Sequence, residues 1–236
     1  MTENVDRSLH QQLLMVVKDP VFIKQMIWVV LLGVLMVVII LLNIDYLQTH
    51  YPEPPRPPDR VLDAIPVNYD FLTVGEAFSK LQVGIMAFFF FSSADRLRRL
   101  PTLFFLLALM YILRSYAFTL TPLAQISPPG EHYVETDFIA QNFYYGMYFS
   151  GHFTSALMQA FFFWDDRLKG IRISWIVLPF ALVQAMSLLV SHQHYSIDIF
   201  AAIFIAYFFL TFDFMQFVPK PLLDVHWMPW YVAPEA

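Results

Sequence analysis

The sequence contains no cysteine, which excludes disulfide bonds, thiolate catalysis and Cys-ligated zinc. Charged residues are also scarce: they make up 14% of the 236 residues, while hydrophobic residues make up 58%. The net charge is −5, and the few Lys and Arg stand in short, separate clusters. The chain therefore has no continuous basic surface of the kind that binds nucleic acid, and we expect no nucleic-acid partner.

The sequence is rich in long apolar runs. The mean hydropathy is +0.55 and there are 25 Phe residues, a composition typical of integral membrane proteins. We predict an all-α membrane protein with six transmembrane helices, since about 20 apolar residues cross about 30 Å of hydrocarbon. The predicted spans cover residues 26–42, 74–92, 101–121, 150–164, 173–190 and 197–218. The polar start of the chain predicts no cleaved signal peptide.

The remaining segments complete the predicted organisation. Residues 1–24 are expected to form an N-terminal segment at the interface, and residues 25–218 a six-helix membrane catalytic domain. Within that domain, residues 45–73 are predicted to form an outer loop, because the prolines between residues 51 and 59 prevent a helix. Residues 219–236 are expected to form a cytoplasmic tail.

The orientation of the chain follows from its basic residues, which accumulate in the cytoplasmic loops of membrane proteins. In a six-span arrangement one side carries nearly all of them: Arg7, Lys18, Lys24, Arg96, Arg98, Arg99, Arg167, Lys169, Arg172 and Lys220. Residues 122–149 and 191–196, on the other side, contain neither Lys nor Arg. We therefore predict that both termini are cytoplasmic and that these two loops face the lumen, the periplasm or the cell exterior.

The strongest candidate for chemistry is His194, which is followed four residues later by Asp198. Residues four apart on a helix share one face, so the carboxylate is expected to hold one imidazole nitrogen while the other faces outward. Such a pair stabilises the imidazolium or phosphoimidazole that forms during nucleophilic attack. We predict that His194 is the nucleophile or base and that Asp198 orients it.

A second polar cluster, Ser150-Gly151-His152, stands at the head of the fourth predicted span. One membrane crossing and its return separate it from His194, so both histidines are expected at the same membrane surface. His152 is then the predicted general acid for a leaving alkoxide and the base for an incoming hydroxyl. The alternative is that Ser150 caps the helix and His152 only contacts water.

Arg114 lies in the third predicted span, about two turns below its outer end, where an unpaired charge is costly. A phosphate group is a suitable anionic partner, and the backbone N–H groups at Ser150 to His152 would provide a second anion site. We therefore predict that Arg114, Ser150 and Gly151 bind substrate. In the alternative, Arg114 binds no ligand and pairs with Glu135, Asp137 or Asp198.

The residues around His194 have further predicted roles. Tyr195 is expected to be an interfacial aromatic beside the substrate, and Ser196 the N-cap of the last helix. His192 stands two residues before His194, so a zinc site that also uses His152 and Asp198 is an alternative. We favour an enzyme without a metal or any other cofactor.

Four stretches stand in a fixed order along residues 54–213: Pro57-Pro58-Asp59; Arg98-Arg99 followed by Arg114, Thr119, Thr121 and Pro122; Phe149-Ser150-Gly151-His152; and His194-Tyr195-Ser196-Ile197-Asp198. In this order they resemble the motifs of the sphingomyelin synthase branch of the type 2 phosphatidic acid phosphatase superfamily. The resemblance implies six membrane helices, His194 as nucleophile, Asp198 as its partner and His152 as acid and base.

The resemblance also implies a reaction. A phospho-headgroup would pass from a membrane phospholipid donor to a lipid alcohol, ceramide or diacylglycerol, by a ping-pong mechanism without metal. The alternative within the superfamily is a lipid phosphatase or phospholipase C-like hydrolase that uses water as acceptor. A non-catalytic lipid-binding or scaffold protein is an alternative of another class, and the sequence leaves open whether the chain forms a homo-oligomer.

Overall fold

The computed structural model describes residues 8–51, 55, 57–123 and 149–211. Their elements, in chain order, are α1 (Leu9–Lys18), α2 (Pro20–His50), α3 (Arg60–Asp63), α4 (Asp70–Phe91), α5 (Ala94–Arg98), α6 (Leu100–Leu120), α7 (Gly151–Phe162), β1 (Arg167–Leu168), β2 (Ile171–Arg172), α8 (Ile173–Val190) and α9 (Ser196–Thr211). The predicted cytoplasmic tail and the end of the sixth predicted span lie outside the described residues. The prediction of a helical membrane protein is confirmed.

Among the described residues, four segments are long and apolar enough to cross a membrane: Pro20–His50, Asp70–Phe91, Ala94–Leu120 and Ile173–Val190. The remaining two predicted spans are shorter within the described residues. Helix α7 has 12 residues and α9 has 16, which correspond to about 18 and 24 Å of helix. The chain before α7 and after α9 lies outside the described residues, so six spans remain a prediction.

The predicted outer loop at 45–73 is shorter than we expected at both ends. Helix α2 continues to His50, because residues 43–51 contain no proline or glycine and the His50 ring bonds to the Tyr46 carbonyl. Helix α4 begins at Asp70, four residues before the predicted span. Between them, the short helix α3 begins directly after Asp59. Proline therefore prevents helix only in part of the predicted loop.

A two-residue hairpin, which we did not predict, joins α7 to α8. Strands β1 and β2 are antiparallel, and the turn residues Lys169 and Gly170 both have positive φ angles, of 50° and 86°. Such turns match the twist of a hairpin, and glycine is favoured in them. The Asp166 carboxylate beside this hairpin forms ion pairs with Arg96 and Arg99.

The main hydrophobic core lies between α6, α7, α8 and α9. Its fully buried members include Met110, Phe149, Met158 and Ala202. Two buried hydrogen bonds also join the helices. The amide of Gln82 on α4 donates to the Ala156 carbonyl of α7 at 2.9 Å, and the amide of Gln184 on α8 donates to the Gln82 side-chain oxygen at 2.7 Å. Such bonds between helices supply about 0.6 kcal/mol each on average in membranes. These two bonds therefore link α4, α7 and α8.

Candidate active site

His194 and Asp198 form the contact that their spacing predicted. His194 lies in the loop between α8 and α9, and its Nδ1 is 3.1 Å from Oδ2 of Asp198. Both residues are buried, with 5% and 0% of their surface exposed. When Nδ1 donates its proton to the carboxylate, the lone pair of the neutral imidazole lies on Nε2. The arrangement therefore favours Nε2 as the reactive atom.

The environment keeps His194 largely neutral. Burial lowers its pKa, the hydrogen bond and charge of Asp198 raise it, and the charge of Arg114 lowers it; the result is a pKa below the ordinary value of 6.5. A neutral imidazole at neutral pH has the free lone pair that a nucleophile or base requires.

The backbone fixes Asp198 in the first turn of α9. Its Oδ2 also accepts the N–H of Tyr195 at 3.2 Å, and its own N–H donates to the Tyr195 carbonyl at 3.0 Å. A carboxylate at this end of a helix is stabilised by the helix dipole. Within the described part of the chain, the other carboxylate oxygen, Oδ1, has no hydrogen-bond partner. Among the described residues, Asp198 therefore has one carboxylate oxygen, Oδ1, that accepts no hydrogen bond.

Ser150 connects the head of α7 to this pair. Its N–H donates to the Asp198 carbonyl at 3.2 Å, and its hydroxyl accepts the N–H of Phe153 at 3.2 Å. The structure thus gives Ser150 the capping role that we held as the alternative to substrate binding. Because its N–H is occupied, the anion site predicted at the head of α7 is reduced to the N–H groups of Gly151 and His152.

Arg114 enters the site from α6 and is buried, with 6% of its surface exposed. Its Nε donates to the Phe149 carbonyl at 3.0 Å, and its guanidinium carbon lies 4.3 Å from the centre of the Phe118 ring. The charge of Asp198 acts on Arg114, in line with part of the pairing alternative. The other candidate partners of that alternative, residues 135 and 137, lie outside the described residues.

Gly151 allows Arg114 to approach the head of α7. A Cβ at this position would lie 2.9 Å from Cε1 of Tyr111 and 3.1 Å from Nε of Arg114. The first distance is shorter than two carbon atoms normally approach, so a side chain here would require the Tyr111 ring to shift. The small size of Gly151 therefore allows Arg114 to lie close to the head of α7.

His152 follows at the second position of α7 and has an exposed side chain. The charges of His194 and Arg114 both act on it, which places the three side chains around one region. The structure thus brings together at one end of the bundle Arg114, Gly151, His152, His194 and Asp198. Their convergence is what the positions of the predicted spans led us to expect.

The neighbours of His194 make contacts that their sequence does not indicate, and one of them, Tyr195, differs from expectation. Tyr195 is buried against Leu62 instead of lying at the interface, because α3 covers it. Ser196 begins α9 and donates both its N–H and its hydroxyl to Asp59. The Nε2 of His192 bonds to the Ile65 carbonyl.

The contact of His192 bears on the zinc alternative. Its Nε2 is engaged by a backbone carbonyl, and the described residues contain no group of three or more His, Cys, Asp or Glu that could hold a metal ion.

Asp59 belongs to the first of the four motif stretches, but its sequence context does not assign it to the site. The available signal was local: an Asp that follows two prolines and precedes Arg-Val-Leu is a typical N-cap. Asp59 does cap α3, with Oδ1 accepting the N–H groups of Val61 at 3.0 Å and Leu62 at 3.2 Å. Its further contact with Ser196 required the folded chain.

Comparison with known families matches residues 147–215 to the model of the PAP2 superfamily C-terminal domain. This match includes His152, His194 and Asp198, and it supports placing the chain in the type 2 phosphatidic acid phosphatase superfamily. A comparison with curated proteins found no match. The family match supports a lipid phosphatase or phosphotransferase type of function.

Proposed function

We propose that the protein is a membrane phosphotransferase that moves a phospho-headgroup from a glycerophospholipid to a lipid alcohol through a phosphohistidine. The observation that carries this proposal is the 3.1 Å contact between Nδ1 of His194 and Asp198, which leaves Nε2 as a nucleophile beside His152 and Arg114. The resemblance to the sphingomyelin synthase branch suggests ceramide or diacylglycerol as the acceptor.

In the first half-reaction, Nε2 of His194 attacks phosphorus and the bond from phosphorus to the diacylglycerol oxygen breaks. His152, which begins this step protonated, gives a proton to that oxygen, so diacylglycerol leaves as a neutral alcohol and His152 becomes neutral. Asp198 accepts the Nδ1 proton of the imidazole in a hydrogen bond and stabilises the positive charge that develops on the ring. Arg114 supplies positive charge to the phosphoryl oxygens.

In the second half-reaction, His152 takes the proton of the acceptor hydroxyl. The acceptor oxygen attacks phosphorus, the bond between phosphorus and Nε2 breaks, and His194 returns to its neutral form. Water in place of the lipid alcohol would give hydrolysis through the same intermediate, so the acceptor alone separates a transferase from a phosphatase. The proposed steps use protein side chains and require no metal.

The test is mass spectrometry of the lipids formed by the purified protein in mixed phospholipid vesicles, with and without ceramide or diacylglycerol and with and without EDTA. We expect headgroup transfer to an added lipid alcohol, at the same rate in EDTA. A free phospho-headgroup or inorganic phosphate, formed equally without a lipid alcohol, would show the hydrolase instead. Loss of activity in EDTA and recovery with zinc would contradict metal independence. No product under any condition would contradict the proposed function.

A further inference from the structure

The carboxylate of Asp59 joins two parts of the chain that are distant in sequence. Its Oδ2 accepts the N–H of Ser196 at 2.6 Å, and its Oδ1 accepts the Ser196 hydroxyl at 3.0 Å. Oδ1 of the same carboxylate also caps α3. Asp59 therefore fixes the first residue of α9 to an outer segment 137 positions earlier.

Other residues near Asp59 hold the same loop, and we call residues 59–68 the clasp. The Ile65 carbonyl accepts a hydrogen bond from Nε2 of His192 at 3.0 Å, and the N–H of Asn68 donates to the Val190 carbonyl at 2.9 Å. Leu62 of the clasp packs against Tyr195. The loop that carries His194 is thus contacted by the clasp at three places: where the loop begins, in its middle and where it ends.

The loop needs such support because its backbone is strained at His192. This residue has a φ angle of +53°, in the left-handed region that only a few per cent of residues other than glycine adopt, asparagine, aspartate and histidine more often than the rest. A strained conformation of this kind persists only when surrounding contacts impose it. The bond from His192 to Ile65 is one of these contacts.

Asp59 is well suited to hold a helix terminus in place. Partial burial raises its pKa, but hydrogen bonds from Ser196, Leu62 and Val61 outweigh this effect and bring the pKa below its ordinary value of 3.8. The side chain is therefore a carboxylate at neutral pH, with two oxygen atoms that accept hydrogen bonds. An amide in its place would have one acceptor oxygen and no charge.

We propose that Asp59 is a positioning residue for the transfer reaction and that it acts through Ser196. This inference rests on the proposed function. Ser196 lies two residues after His194 and two before Asp198, so a shift of Ser196 displaces both members of the pair. A displacement of about 1 Å at a reacting group costs about 10²-fold in rate. Asp59 touches neither the substrate nor the reacting atoms in this account.

The test compares Asp59→Asn with Asp63→Asn in the full-length protein. Asp63 ends the same helix and is exposed, so its variant controls for a lost negative charge next to the membrane. Two measurements are made: steady-state kinetics of headgroup transfer, and hydrogen–deuterium exchange of peptides covering residues 190–200. Ser196→Ala and the double variant Asp59→Asn/Ser196→Ala complete the set.

For Asp59→Asn we expect a fall in kcat of about 10²-fold, KM within about twofold of wild type, and faster exchange in residues 190–200. Asp63→Asn should match wild type. Ser196→Ala should lose less than Asp59→Asn, because the backbone N–H remains, and the double variant should fall no further than Asp59→Asn. If Asp59→Asn does not fold, Ser196→Ala decides by the same kinetic and exchange criteria.

An unchanged kcat in Asp59→Asn, or a rise in KM alone, would overturn the positioning role. Independent, additive losses in the double variant would overturn the route through Ser196. If the wild-type protein showed neither transfer nor hydrolysis, the proposed function would fail, and the exchange measurement would still test the clasp. Faster exchange in Asp59→Asn alone would then support the clasp, and unchanged exchange would contradict it.

Discussion

One carboxylate oxygen of Asp198 contacts both the imidazole of His194 and the backbone N–H of Tyr195, the residue before α9. Oδ2 lies 3.1 Å from Nδ1 of His194 and accepts the N–H of Tyr195 at 3.2 Å. The orientation of the imidazole is therefore tied to the start of the helix. A side chain that is free to rotate would hold the ring far less firmly.

The first prediction concerns the charge of Asp198. Asp198→Asn preserves the shape of the side chain but removes the charge that stabilises a developing imidazolium. We expect kcat to fall by about 10⁴-fold, the effect of neutralising the carboxylate in a Ser-His-Asp triad. Transfer kinetics of the purified variant measure it, with Asp63→Asn as the matched control. A loss of less than about tenfold would show that the charge has no large role.

The second prediction concerns pH. Because the pKa of His194 lies below 6.5, the imidazole is neutral at pH 7 and becomes protonated as the pH falls through that lowered pKa. Protonation removes the lone pair, so kcat/KM should fall on the acidic side with a midpoint below 6.5. The pH profile of kcat/KM in vesicles gives this midpoint. A midpoint above 6.5 would contradict the assignment of His194 as the neutral nucleophile.

The third prediction concerns Gly151. In Gly151→Ala the new methyl group would lie 2.9 Å from the Tyr111 ring and 3.1 Å from Nε of Arg114, so Arg114 has to move. We expect turnover to fall by about 10²-fold while the protein still folds, since a small displacement at a reacting centre costs that much. Gly33→Ala is the control, because a Cβ there meets nothing within 4 Å. Equal activity in both variants would show that the approach of Arg114 is unimportant.

The fourth prediction concerns orientation in the membrane. We expect residue 98 on the cytoplasmic side and residue 132, which lies outside the described residues, on the opposite side with the proposed active site. The chain contains no cysteine, so single cysteines at the two positions can be tested with a membrane-impermeant maleimide. Labelling at 132 only after permeabilisation would reverse the orientation and move the proposed site to the other leaflet.

Local patterns in the sequence predicted much of this arrangement. Apolar runs indicate membrane helices because each run must satisfy its own backbone in lipid. The four-residue spacing of His194 and Asp198 predicts their contact, but His194 lies in the loop before α9, so the helical geometry behind that prediction does not itself produce the contact. The length of α2 was underestimated, since residues 43–50 are more polar than the preceding run yet contain no residue that ends a helix.

Contacts between distant segments were beyond the reach of such patterns. Nothing in the spacing of Asp59 and Ser196 indicates that they meet, because 137 positions separate them. The burial of Tyr195 depends on its packing against Leu62 of α3. The sequence around Tyr195 fits a buried aromatic and an aromatic at the membrane interface equally well. Even the cap at Ser150 was ambiguous, because a serine that caps a helix and one that binds an anion have the same sequence pattern.

The central claim is that His194 carries the phospho-headgroup between donor and acceptor. The direct measurement uses a phospholipid with an isotopically labelled headgroup, denaturation during turnover, and peptide mass spectrometry to locate the label. We expect the label on His194 in the wild-type protein and none in His194→Ala, which should also lose turnover. His152→Ala should slow both half-reactions and retain some labelled protein. Turnover by His194→Ala, or label on another residue such as His192, would contradict the account.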